Sequence, residues 1–246
     1  MPIQILQLES TTTDGVELKS YVCLPESASH DNPAPAILVA PEWWGVVEHP
    51  QKVTERLAEA GFAAVAMDVY GEGKLTTDAA QANEWMSQML ADQDMLMARC
   101  KLIMDDFTDL EAVDTNRLGA IGFCFGGKIA LDMAREGFPL KAMATFHGNP
   151  TPKQPAQKGK FTAKVLVAHG EADSMVSMDA IEGLKKELDN ADVEYTVDVY
   201  EGAKHGFTNP NADKRAEENG VDLGYDADAA KASWDEMIAF MQDNLV

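Results

Sequence analysis

Leu118-Gly119-Ala120-Ile121-Gly122-Phe123-Cys124-Phe125-Gly126-Gly127-Lys128-Ile129-Ala130-Leu131-Asp132-Met133-Ala134 is the stretch that decides the fold. Leu118 to Ile121 is an apolar run of strand length, and the residues from Gly127 to Ala134 read as a helix. Between them, Gly122-Phe123-Cys124-Phe125-Gly126 reads as a sharp turn. Strand, turn and helix in that order form the context of a nucleophile elbow on an α/β sheet. Cys124 stands where many hydrolases keep a nucleophilic serine.

Working outward, Pro35 to Ala40 and Phe62 to Met67 are nearly continuous in apolar character, as buried parallel strands should be. Further strands are expected at 117–122, 142–146, 164–168 and 195–200, with an outer strand at 16–24. Helices are expected at 50–60, 77–110, 125–135, 177–190 and 226–244. Alternation of this kind predicts an α/β class: one three-layer domain over residues 1–246, with a central, mostly parallel sheet. Residues 149–160 read as an irregular loop and 207–225 as a polar excursion. Five methionines between Met86 and Met104 suit an adaptable helix packed on the sheet, or a mobile cover over a pocket.

Forty-one acidic residues against twenty basic ones give a formal charge of −21. That field disfavours nucleic acid and anionic membrane as partners. No apolar run reaches the roughly 18 to 20 residues of a membrane span. The first residues lack the pattern of a signal peptide. Cys23, Cys100 and Cys124 do not form a disulfide framework, so a reducing, cytoplasmic setting is expected. No His-Glu-x-x-His or Cys-x-x-Cys spacing supports a metal site, and no cofactor is expected.

A thiol is a weak nucleophile until ionised, and a helix N-terminus favours its thiolate. The pentapeptide alone also fits a buried, inert cysteine. Two later segments bear on that choice. His169-Gly170-Glu171-Ala172-Asp173 follows one expected strand, and Lys204-His205-Gly206-Phe207 follows the next. The order nucleophile, acid, histidine is that of the α/β-hydrolase arrangement. His205 would take the thiol proton and return one to the leaving group, with Asp173 fixing its tautomer. Glu171 is a rival to Asp173. His169 is read as structural, while His30 and His49 lack chemical partners nearby in sequence.

The Phe125 N–H is one expected oxyanion donor, and Trp43 in Pro41-Glu42-Trp43-Trp44-Gly45 is the other. Glu42 either caps the loop or competes for the thiol proton. Trp44, Phe123, His147, Phe207 and Arg99 are the candidates for lining a substrate pocket.

Pro41 to Gly45, Gly122 to Gly127, His169 to Asp173 and His205 to Phe207 together resemble the dienelactone hydrolase, or carboxymethylenebutenolidase-like, family. The resemblance implies an α/β-hydrolase-like monomer that opens lactones through an acyl-cysteine. It implies Cys124 as nucleophile, Asp173 as acid, His205 as base, and Glu42 as the carboxylate that holds and then helps activate the thiol. Family members acting on dienelactone clasp the substrate carboxylate with arginines, one directly after the catalytic histidine. Here Gly206 stands in that place. A small-molecule ester or lactone is therefore the expected substrate class. A general carboxylesterase and a non-catalytic binding or thiol-sensing protein are the alternatives.

Overall fold

The computed structural model describes residues 2–246. The chain falls into two compact units, the first ending at Gly119 and the second running Ala120–Val246.

In the first unit β1 (Ile3–Thr11) pairs antiparallel with β2 (Glu17–Pro25). β2 pairs antiparallel with β4 (Ala63–Ala66), which runs parallel to β3 (Ala34–Ala40). β3 and β4 are buried along their whole length, which their unbroken apolar sequence requires. The expected outer strand, β2, is flanked by β1. Most of β1 is exposed, with Ile5 53% accessible, so burial leaves little periodic trace there. Its ladder to β2 holds it instead.

The helix α1 (Glu48–Glu59) packs through Val53, Leu57 and Ala58. The single helix expected over 77–110 is two: α2 (Ala79–Ala91) and α3 (Gln93–Thr108). Asp92 leaves helical geometry and its carboxylate accepts the Met95 N–H at 3.0 Å, capping α3. Aspartate competes with the helix for backbone donors and so marks starts better than interiors. Met89, Met97 and Met104 are buried, and Met86 and Met95 are half-buried, which matches the packing role expected for this stretch.

The strand β5 (Val113–Phe123) carries the chain into the second unit. There follow α4 (Phe125–Arg135), β6 (Ala142–Phe146), β7 (Lys164–Gly170), α5 (Met178–Asn190), β8 (Tyr195–Tyr200), α6 (Ala212–Asn219) and α7 (Ala227–Leu245). β6, β7 and β8 run parallel as neighbours. Ser177 caps α5 and Asp226 caps α7, each through a side-chain oxygen on first-turn N–H groups. The polar excursion at 207–225 contains α6. The irregular loop at 149–160 is tied down by Arg135, whose guanidinium reaches the Pro150 carbonyl, Asp132 and both oxygens of Glu187. The class is a three-layer α/β fold with a mostly parallel central sheet.

Candidate active site

Cys124 lies at the N-cap of α4 with φ 54° and ψ −115°. Left-handed backbone is costly for a residue with a Cβ, and it persists only where the surroundings impose it. They do so here: a Cβ on Gly122 would overlap the Gly126 carbonyl, and one on Gly127 would come within 2.8 Å of Gly148 Cα. The Cys124 N–H donates to the Phe146 carbonyl at 3.0 Å and to His147 Nδ1 at 3.1 Å. Because Nδ1 accepts, the ring proton of His147 resides on Nε2, 3.1 Å from Thr208 Oγ1. His147 is thus a strut beneath the turn as well as a wall. Thr208 was not singled out by the sequence; it carries no motif of its own.

Asp173, the expected acid, lies in the loop after β7. Glu171 and Ala172 donate their N–H groups to the carbonyls of Tyr200 and Ala203, pinning this loop to the one after β8. Gly170 permits that approach, since a Cβ would overlap the Ala203 carbonyl. Asp222 adds a link, accepting from Ser174 Oγ at 2.7 Å and Lys204 Nζ at 2.8 Å. The Asp173 side chain is wholly buried. Its Oδ1 accepts the N–H groups of Met175 and Val176 at 2.8 and 2.9 Å, and its Oδ2 accepts from His205 Nδ1 at 2.8 Å. Its rival Glu171 is exposed and takes the Gly202 N–H.

Burial works to raise the Asp173 pKa, but the His205 hydrogen bond and charge and the two backbone donors outweigh it and hold it low. For His205, burial pulls the pKa down. The charge of a Cys124 thiolate and the Asp173 hydrogen bond overcome that and push it up to about 10. His205 Nε2 has no partner within strict hydrogen-bond geometry, although Cys124 acts on the ring strongly. The His205 ring meets His147 edge-on at 4.9 Å. His169 is buried, and burial chiefly keeps its pKa low, partly offset by Asp173.

Of the three cysteines, Cys23 and Cys100 are buried and Cys124 is part-exposed. Burial pushes the Cys23 thiol up to about 11. Phe123 is buried against Phe146, ring centroids 4.6 Å apart, and Phe207 is fully buried beside His147 and Tyr200. Phe125 opens α4, which puts its N–H at the helix N-terminus.

The other expected residues belong to the first unit. Glu42 is buried, with Oε2 3.3 Å from His49 Nδ1. Sequence reading gave His49 no chemical partner nearby, and the fold supplies Glu42. Seven positions separate the two residues, and only the turn from β3 into α1 brings them together. Trp43 is half-buried and its carbonyl accepts the Tyr70 hydroxyl, while Trp44 is fully buried in the core. Arg99 is buried on α3 and donates from Nη1 to the carbonyls of Val69 and Tyr70. Among the described residues no helix is long and apolar enough to cross a membrane, and no group of three or more His, Cys, Asp or Glu is placed to hold a metal.

Residues 18–245 match the profile of the dienelactone hydrolase family. The chain belongs to the dienelactone hydrolase family. A dienelactone hydrolase-like promiscuous phosphotriesterase from metagenomic libraries is 30% identical, with each chain covered completely and a TM-score of 0.92. A solved protein designated m3DLH is 31% identical over 99% of both chains, with a TM-score of 0.91. The dienelactone hydrolase of Anabaena variabilis, 18% identical at a TM-score of 0.70 over both whole chains, shares the fold. Membership of the dienelactone hydrolase family makes this chain a hydrolase of carboxylic esters or lactones. Gly206, Phe207 and Thr208 follow His205, with no arginine directly after the histidine.

Proposed function

We propose that this protein is a cysteine-dependent hydrolase that opens a lactone or cleaves an activated ester through an acyl-cysteine intermediate. The observation that carries the reading is the His205–Asp173 hydrogen bond at 2.8 Å, which commits Nδ1 and leaves Nε2 to the thiol of Cys124. A histidine in that position takes the thiol proton, and the imidazolium is stabilised by Asp173. The Cys124 thiolate attacks the carbonyl carbon, and negative charge develops on the carbonyl oxygen. The Phe125 N–H, helped by the α4 dipole, is the donor assigned to that oxyanion. Collapse breaks the acyl–oxygen bond, and His205 gives its proton to the departing enolate or alkoxide. Water deprotonated by His205 then attacks the thioester, releasing the acid and the thiolate.

Two further roles are part of the proposal through the family resemblance. Trp43 supplies the second oxyanion donor, and Glu42 restrains the resting thiol. A thiolate favours an activated leaving group such as an enol over an amide nitrogen, so peptides are poor substrates in this reading. The 30% identical phosphotriesterase extends the substrate panel to a phosphotriester, which a thiolate can also attack.

The test is intact-protein mass spectrometry after rapid quenching, with an enol lactone, p-nitrophenyl acetate and paraoxon as probes. An adduct of acyl mass on the Cys124 peptide, absent from Cys124→Ala, is the expected result. Full turnover by Cys124→Ala on every probe would overturn the reading. Faster turnover of p-nitrophenyl acetate than of the enol lactone would favour a general carboxylesterase.

A further inference from the structure

His147 joins the nucleophile turn to the loop that carries His205, and both of its ring nitrogens are engaged. The Cys124 backbone nitrogen can only donate, so Nδ1, 3.1 Å away, has to accept. The ring proton therefore sits on Nε2, and Thr208 Oγ1 at 3.1 Å is its acceptor. The other protonation states fail at the first of these contacts. A proton on Nδ1, in the second neutral tautomer or in the imidazolium, would face the Cys124 N–H donor to donor.

The ring is also held against turning away from such a conflict. His147 is fully buried, and its N–H donates to the Ala168 carbonyl at 2.9 Å. Its φ of 42° is costly for a residue with a Cβ and persists because the surroundings impose it. His205 and Phe207 meet the ring edge-on, with centroids 4.9 and 5.4 Å away. A buried ring N–H deprived of its acceptor is expensive, so the hydroxyl at Thr208 has leverage over which nitrogen carries the proton.

We propose that Thr208 is a positioning residue of the hydrolytic site. Its hydroxyl sets the tautomer of His147, and through that ring it keeps the Cys124 N–H, and with it the nucleophile turn, in place. Thr208 lies three positions after His205, so the loop that brings the base also braces the nucleophile. The commitment of both nitrogens removes His147 as a second base. The kinetic consequence rests on the thiol-hydrolase reading above; the tautomer does not.

The test has a spectroscopic arm and a kinetic arm. Histidine isotopically labelled at the ring nitrogens is followed in the full chain by long-range proton–nitrogen correlation NMR. The His147 signals are those missing from His147→Asn. A proton on Nε2 and none on Nδ1 is expected, and Thr208→Ser should keep that pattern. Thr208→Val preserves the shape, removes the acceptor and should replace the pattern with exchange between tautomers. With p-nitrophenyl acetate, Thr208→Val is expected to lose about tenfold in kcat at nearly constant KM, the worth of one hydrogen bond. Thr208→Ser should lose less than about twofold, since it keeps the hydroxyl. In a His147→Leu background Thr208→Val should cost nothing more, because it acts through the ring.

A His147 proton on Nδ1 in the unsubstituted chain would overturn the proposal, and so would matching losses in Thr208→Val and Thr208→Ser. Unchanged kcat in a folded Thr208→Val, with Cys124→Ala inactive, would overturn it and leave the thiol chemistry standing. Full activity of Cys124→Ala would instead strike the reading beneath it, whatever the tautomer. If Thr208→Val does not fold, the protonation pattern of the full chain and of Thr208→Ser decides.

Discussion

Asp173 Oδ2 accepts the His205 Nδ1 proton at 2.8 Å while Asp173 Oδ1 is held by two backbone N–H groups. The carboxylate is therefore oriented from behind before it orients the imidazole. Asp173→Asn keeps an oxygen for the Met175 and Val176 donors and offers either an oxygen or an amide to His205. A lost charge and a loosened tautomer should cut kcat/KM by at least about 100-fold. Stability should change by no more than about 2 kcal/mol. Steady-state kinetics beside thermal unfolding separates the two effects.

The same pair sets a pH dependence of stability. His205 is raised to about 10 in the folded protein, so between its unfolded pKa near 6.5 and that value the native state holds the extra proton. Its contribution is complete below about 6.5 and disappears as pH rises through about 10. Asp173 is depressed, so its contribution is present above the ordinary carboxylate range and is lost as pH falls through its folded value. Unfolding of the parent compared with Asp173→Asn should show a stability difference that narrows at both ends. A difference unchanged from pH 5 to pH 11 would contradict the assignment.

His147 supports the turn that carries Cys124 by accepting its N–H at 3.1 Å. Asparagine can place an amide oxygen near the position of Nδ1, whereas leucine cannot. His147→Asn should retain most of kcat, and His147→Leu should lose up to about tenfold with little change in KM, the worth of one ordinary hydrogen bond. Equal losses in the two variants would assign His147 to packing alone.

Alkylation offers a check on exposure. Of the three thiols only Cys124 is part-exposed, so iodoacetamide should label the native chain once, at Cys124, and three times after denaturation. Peptide mapping of the labelled protein reads this directly.

Arg135 is buried among Asp132, Glu187 and the Pro150 carbonyl. Removing it leaves the buried Asp132 to Lys128 alone and takes the guanidinium from the half-buried Glu187. Arg135→Ala should destabilise the fold by about 3–5 kcal/mol and loosen the 149–160 loop. Denaturant unfolding gives the first quantity, and limited proteolysis within the loop gives the second.

What the sequence by itself determined was local. Unbroken apolar runs located β3, β4, β6 and β7, because strands buried on both faces leave no polar alternation. Ser177 and Asp226 marked the starts of α5 and α7, because their side chains satisfy first-turn donors. The glycines around Cys124 announced a turn that only residues without a Cβ can approach.

Tertiary structure decided whatever depends on partners distant in the chain. Asp92 divides a stretch whose composition reads as one helix, and β1 is held by its ladder to β2 despite a weak apolar pattern. Asp173 turns to His205 while Glu171, two residues away, turns to solvent. The Cys124 N–H meets a ring 23 positions on, and that ring meets a hydroxyl 61 positions further. Arg99 Nη1 meets the Val69 and Tyr70 carbonyls, 30 and 29 positions back. Hydrogen bonds are short and directional, so strand register and loop path settle such contacts, and neither is written in spacing along the chain.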